Sequence, residues 1–124
     1  MAKILYVEDH PIQREIMTQL LEAQAYNVTT AGNGLEGLTT AHRLHPDLIL
    51  TDLRKPVMNG FDMISHLRSS EKFRTTPIIV VSAWASHNDK QRAIDAGADA
   101  HFSKPPDLKK LLSTIQSYLA RKCY

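Results

Sequence analysis

At 124 residues, with 43% hydrophobic and 23% charged side chains, the chain has the composition of one globular domain large enough to bury a core. Its formal net charge of +2 is too small to mark a nucleic-acid surface by itself. No apolar run reaches the length of a membrane span, and the start Met-Ala-Lys-Ile-Leu lacks a signal-peptide pattern. A single cysteine, Cys123, leaves no intrachain disulfide, fits a reducing cytoplasm and reads as an incidental thiol beside the C-terminus.

Lys3-Ile-Leu-Tyr-Val7 is a compact apolar run of strand formers ending in Glu8-Asp9-His10. Pro11 suits the first turn of a helix, and Ile12, Ile16, Leu20 and Leu21 give that helix an apolar stripe. Tyr26 to Ala31 reads as a second strand, short and partly polar, and so near a sheet edge. Asn33 with Glu36 three residues on is a capping-box-like start for a helix running to about Leu44 and stopping before Pro46. Asp47 to Thr51 is an apolar run of the kind buried on both faces of a parallel sheet, and Asp52 stands at its carboxyl end. In the loop beyond it, Pro56 bars a helix start and Gly60 permits a tight turn.

Asn59 and Asp62 open a third helix with Phe61, Ile64 and Leu67 on one face. Pro77-Ile-Ile-Val-Val-Ser82 is another buried strand, and Ser86-x-x-Asp89 caps a fourth helix that ends at Ala96-Gly97 with a left-handed stop. Asp99 to Ser103 is a last short strand. Lys104-Pro105-Pro106 breaks the chain, and Leu108, Leu111, Leu112, Ile115 and Leu119 form the buried face of the final helix. Strand followed by helix, five times over, predicts an α/β fold with a five-stranded, doubly wound parallel sheet and right-handed crossovers. No linker, repeat or low-complexity segment interrupts residues 1–124, so they read as one domain.

In such a sheet the strand ends Glu8-Asp9, Asp52 and Ser82 lie on one edge, with Lys104 just beyond a fourth strand. Crowded carboxylates need a cation between them. Mg²⁺ suits a site with few protein ligands and several waters. Ser82 and Lys104 then suit the oxygens of a phosphoryl group, and an Asp beside Mg²⁺ can itself attack phosphorus to form an acyl phosphate. His10 reads as a cap or surface residue, and His42, His45, His66 and His87 share no metal-ligand spacing.

Four motifs carry a resemblance over nearly the whole chain: Val-Glu8-Asp9-His, Leu-Ile-Leu-Thr-Asp52-Leu-Arg-Lys-Pro56-Val-Met-Asn-Gly60, Ile-Val-Val-Ser82-Ala83, and Ala-Gly97-Ala-Asp-Ala-His-Phe-Ser-Lys104-Pro105. Together they resemble the response-regulator receiver domains of two-component signalling, of the single-domain, chemotaxis-regulator-like kind with a flavodoxin-like fold. The resemblance implies that Asp52 is the phosphoacceptor and that Asp9, Asp52 and the Arg54 backbone carbonyl bind Mg²⁺, with Glu8 acting mainly through a water. It implies that Ser82 and Lys104 contact the phosphoryl oxygens, that Ala83 keeps the approach open, and that the Lys104–Pro105 bond is cis.

The switch position, Tyr or Phe in most of that family, is His101 here, to act with Ser82. The resemblance implies that Arg54 and Trp84 flank the path of a hydrolytic water, and neither side chain is suited to orient one, which implies slow dephosphorylation. The resemblance further implies a cytoplasmic switch, monomeric or weakly dimeric. It takes its phosphoryl group from a histidine kinase or histidine phosphotransfer protein and promotes only its own phosphorylation and dephosphorylation. Output runs through the fourth helix, last strand and last helix to a protein partner, or onward by relay, with no nucleic acid and no membrane involved. Two alternatives share parts of this pattern. A haloacid-dehalogenase-type phosphatase normally places its nucleophile in an Asp-x-Asp pattern near the chain start, whereas position 54 is Arg. A flavin-binding module needs phosphate-cradling loops where this chain has Glu8-Asp9.

Overall fold

In the computed structural model, which describes residues 1–53, 58–83 and 86–121, the five apolar runs become strands. They are β1 (Lys3–Val7), β2 (Asn27–Ala31), β3 (Leu48–Thr51), β4 (Ile78–Ser82) and β5 (Ala100–Ser103). They form one sheet in the order β2-β1-β3-β4-β5, every pairing parallel. Between and after them run α1 (Pro11–Ala23), α2 (Gly34–Leu44), α3 (Gly60–Arg68), α4 (His87–Ala96) and α5 (Leu108–Arg121), with a short 3₁₀ turn at Glu71–Phe73.

Successive residues of a strand point to opposite faces, so a sheet covered on both sides needs unbroken apolar strands. Leu5, Val7, Ile49, Ile78 and Val80 pack with Met63, Ile64, Leu67 and Ala93 from α3 and α4. Ile4, Tyr6, Leu48, Leu50, Ile79 and Val81 pack with Met17, Leu21, Leu111 and Ile115 from α1 and α5. β3, central in the sheet, is wholly buried, and β2 is the partly polar edge strand that its composition predicts. The register pairs Val7 with Thr51 and Thr51 with Val80, which carries Glu8 and Asp52 to one edge. Among the described residues no helix is long and apolar enough to cross a membrane.

The helix caps form as the spacing predicts. Asn33, Asn59 and Ser86 accept from the backbone N–H of Glu36, Asp62 and Asp89. Gly97, with φ 120°, ends α4. Four expectations are corrected. The buried stripe of α1 is Met17 and Leu21, while Ile12 and Ile16 are 66% and 63% exposed. Leu108 is exposed at the start of α5, outside its buried face. Gly60 is the first residue of α3 and has no positive φ; it is small because of what it touches. Tyr26, Asp47, Pro77 and Asp99 each fall one residue outside their strands. For Asp47 and Asp99 the carboxylate is used instead to accept a backbone N–H, from Lys3 and Ile78.

Candidate functional site

Asp52 leaves β3 with its N–H donating to the Val7 carbonyl at 3.2 Å, so its backbone is held by β1. Its Oδ1 accepts from the Leu53 N–H at 2.6 Å, which aims the other oxygen, Oδ2, into the cleft. The side is closed by α3. A Cβ on Gly60 would lie 2.5 Å from the Asp52 carbonyl oxygen and 2.8 Å from the Leu53 Cα, so only glycine lets that helix start against the carboxylate's own backbone.

Glu8 follows β1 in the same way, its N–H donating to Ala31 at 2.9 Å. Its carboxylate is 1% exposed. Oε1 accepts from the Tyr6 hydroxyl at 3.3 Å, and Oε2 accepts from the His10 N–H at 3.3 Å. Asp9 is exposed and lines the same cleft, of about 340 Å³, with Glu8, His10, Gln13, Asp52 and Lys104. Lys104 arrives from the far side of the sheet, its N–H donating to the Ser82 carbonyl at 3.0 Å. Its ammonium donates to Asp52 Oδ2 at 2.5 Å, Gln13 Oε1 at 2.6 Å and Glu8 Oε1 at 2.7 Å.

The Lys104 ammonium and the Tyr6 phenol respond to this arrangement. Burial alone would pull the Lys104 ammonium down, but its hydrogen bonds and attraction to Asp52 and Glu8 outweigh burial and hold it above the ordinary lysine value. Burial pushes the Tyr6 phenol well above the ordinary tyrosine value, and the Glu8 and Asp52 charges push it further. The edge therefore concentrates negative charge that favours any cation or proton near it. Among the described residues no three His, Cys, Asp or Glu side chains converge closely enough to hold a metal by themselves.

The comparisons with known proteins decide what such an edge belongs to. Residues 4–116 match the response regulator receiver domain. The chain belongs to the receiver family of two-component response regulators. It is 35% identical over 116 residues to the polar-differentiation response regulator DivK of Brucella ovis, covering 94% of each chain. Chemotaxis response regulator CheY4 of Vibrio cholerae superposes with a TM-score of 0.88 at 33% identity, over 95% of this chain and 98% of that one. The receiver domain of the sensor histidine kinase PA1611 of Pseudomonas aeruginosa superposes at 0.89 with 30% identity, over 96% and 98% of the two chains. That structure has a magnesium ion coordinated in its active-site cleft. Receivers are generally signalling switches rather than enzymes, and the family match decides against the phosphatase and the flavin module.

Within this receiver, Glu8, Asp9, Asp52 and Lys104 line one cleft, as the motif spacing implies, and Ala83 is exposed beside them. The Lys104–Pro105 peptide is cis. Ser82 is fully buried at the end of β4, the strand next to that of Asp52, and touches Lys104 through its carbonyl. His101 is half-buried in β5 opposite Val80. His10 is the N-cap of α1, its Nδ1 accepting from the Gln13 N–H. Arg54, Trp84, Pro56 and Cys123 lie outside the described residues.

Two members of the site have no counterpart among the sequence candidates: Tyr6, hidden as core, and Gln13. The signal for Gln13 was the helical period. Positions 13, 17 and 21 form one face of α1, and Met17 and Leu21 are its buried members. A glutamine heading an apolar stripe points at something polar, here the ammonium of Lys104.

Proposed function

We propose that residues 1–124 act as one receiver unit in which Asp52 is the phosphoacceptor. The observation that carries this is the Lys104 ammonium shared between Asp52 Oδ2 and Glu8 Oε1 at the carboxyl edge of the sheet. One Asp52 oxygen is tied to the backbone while the other faces the cleft beside a fixed positive charge. That oxygen forms a bond to the phosphorus of a phosphohistidine donor as the donor's P–N bond breaks, and the electron pair leaves with the imidazole. Lys104 compensates charge on the transferred oxygens, and Ser82 offers a hydroxyl to them. A small acyl phosphate serves in the same way, with its P–O bond breaking and the carboxylate leaving.

The donor set fits Mg²⁺. Two buried carboxylates already surround one cation, Asp9 lines the same cleft, and the oxygens are hard ligands. Glu8, Asp9, Asp52 and the Arg54 backbone carbonyl are the residues that would hold it. Bound there, it supplies Lewis-acid stabilisation of the phosphoryl oxygens. The donor is a histidine kinase or histidine phosphotransfer protein in the cytoplasm. The signal leaves through α4, β5 and α5 to a protein partner as Ser82 is drawn in and His101 turns, a shift between two packings of a monomer or weak dimer. Nucleic acid and membrane take no part. Arg54 and Trp84 set a slow intrinsic hydrolysis.

The test is intact-mass analysis after incubation with Mg²⁺ and acetyl phosphate. Wild type gains one phosphoryl group, labile to hydroxylamine, and Asp52→Asn gains none. Full labelling of Asp52→Asn refutes the assignment.

A further inference from the structure

We infer that Gln13 is a positioning residue for Lys104, holding its ammonium in place for phosphoryl transfer; the inference rests on Asp52 being the phosphoacceptor. An ammonium has three N–H donors and no acceptor. In this structure Glu8, Gln13 and Asp52 each supply an acceptor, at 2.7, 2.6 and 2.5 Å. The three acceptors are not equivalent. Asp52 is the atom that gains the phosphoryl group, so its bond to Lys104 is replaced when the reaction occurs. Glu8 and Asp52 both stand in the carboxylate set for Mg²⁺, so their claim on the ammonium changes when the metal binds. Gln13 carries no charge and belongs to neither set. It is the one partner that can keep the same hydrogen bond to Lys104 before and after transfer.

The geometry behind Gln13 is that of a fixed support. It stands in the first turn of α1, after Pro11, and its N–H is capped by His10 Nδ1. Met17 and Leu21, one and two turns further on the same face, anchor the helix to the sheet. The side-chain amide therefore projects from a rigid element, and since an ammonium only donates, the amide must present its oxygen. Lys104 needs such a support. Its side chain is long, is 18% exposed, and carries four rotatable bonds. A neutral acceptor orients it without competing electrostatically with the incoming phosphoryl oxygens, which a third carboxylate would do.

The test is Gln13→Met, which keeps the length and helix preference of the side chain and removes the acceptor. Two measurements are made on the intact protein. The first is the rate of phosphorylation by acetyl phosphate at saturating Mg²⁺, expected to fall about fivefold to tenfold, the equivalent of ~1 to 1.4 kcal/mol of barrier. The second is the ¹⁵N–¹H signal of the Lys104 ammonium, assigned with Lys104→Arg. It is expected to be resolved in wild type and shifted or broadened in Gln13→Met, while Gln13→Glu, which restores an oxygen acceptor, recovers it. A Gln13 that served only helix stability would move neither.

An unchanged rate in Gln13→Met, or an unchanged ammonium signal, overturns the inference. Wild type that takes no phosphoryl group overturns it together with the Asp52 assignment. Labelled wild type alongside equally fast Gln13→Met overturns this inference alone.

Discussion

The two edges of the sheet each hold a partly buried cation against a carboxylate, and they are built from different materials. At the carboxyl edge, Lys104 donates to three side chains, those of Glu8, Gln13 and Asp52. At the amino edge, Arg68 donates from Nη2 to Asp99 Oδ2 at 2.8 Å, from Nε to the Gly97 carbonyl at 2.9 Å, and from Nη1 to the carbonyls of Phe73 and Thr76 at 2.5 and 2.7 Å. Asp99 in turn accepts the Ile78 N–H at 2.8 Å. Side-chain partners can be exchanged for a metal or a phosphoryl oxygen, whereas backbone carbonyls are fixed by the fold. A compact ammonium suits the first task and a planar fork suits the second. In the proposed function the lysine edge changes partners, whereas the arginine edge ties together the end of α3, the start of β4 and the end of α4.

The largest effect that separates the edges is on stability. Arg68→Ala removes hydrogen bonds to several carbonyls at once and strips Asp99 of its cation, at a cost of about 2–3 kcal/mol, discounted because Asp99 is 35% exposed. Arg68→Lys recovers little of it, because a point charge cannot span the same acceptors. Urea denaturation measures the loss, and acetyl phosphate labelling of either variant below its midpoint is expected to match wild type. Normal stability in Arg68→Ala breaks the comparison.

Lys104→Met gives the matching experiment at the other edge. Glu8 and Asp52 lose their shared cation, which costs about 2 kcal/mol in the absence of divalent ions. Here the loss is repairable. At one fixed Mg²⁺ concentration, a hundredfold above the Kd of Lys104→Met, binding to its folded state is expected to add back ~2.7 kcal/mol, and wild type is expected to gain less because Lys104 already occupies the same carboxylates. Arg68→Ala gains no more from Mg²⁺ than wild type does. Denaturation midpoints with and without Mg²⁺ read this directly, and equal Mg²⁺ gains in all three proteins remove the distinction between the edges.

How much of this was legible in the sequence follows from distance along the chain. The caps at Asn33, Asn59 and Ser86 join residues three apart, and the buried strands declare themselves by uninterrupted apolar runs, so both were readable. Gly60 was noticed for the wrong reason, because a close approach of α3 to the Asp52 backbone leaves no local trace. The stripe of α1 was misread because that helix carries apolar residues on two faces. Period alone cannot say whether Ile12 and Ile16 or Met17 and Leu21 meet the sheet. The Arg68–Asp99 and Lys104–Glu8 pairs join residues 31 and 96 apart, and nothing local distinguishes those side chains from solvated ones. Glu8, Asp52 and Lys104 were nevertheless placed together, because a parallel sheet brings its strand ends to one edge whatever the loops do.

The smallest effect concerns Tyr6, whose hydroxyl donates to Glu8 at 3.3 Å behind the site. Tyr6→Phe keeps the ring in the core and removes one long hydrogen bond, so near neutral pH the loss is about 0.5 kcal/mol. The informative region is alkaline. Tyr6 and Lys104 both titrate above their ordinary values in the folded protein. A group whose folded value is raised holds its proton more tightly in the native state. Its stabilising share is complete below the unfolded value, near pH 10 for both residue types, and is lost as pH rises through the folded value. Wild-type stability therefore declines above about pH 10 with two groups contributing. Tyr6→Phe leaves the Lys104 share and Lys104→Met leaves the Tyr6 share, so each shows a shallower decline. Arg68→Ala lowers the whole curve and leaves the slope of that limb unchanged, because neither group lies at the arginine edge. Urea midpoints between pH 8 and pH 11 are the measurement. An alkaline slope in Tyr6→Phe as steep as wild type shows that the phenol, buried beside Glu8, does not hold its proton above the ordinary tyrosine value.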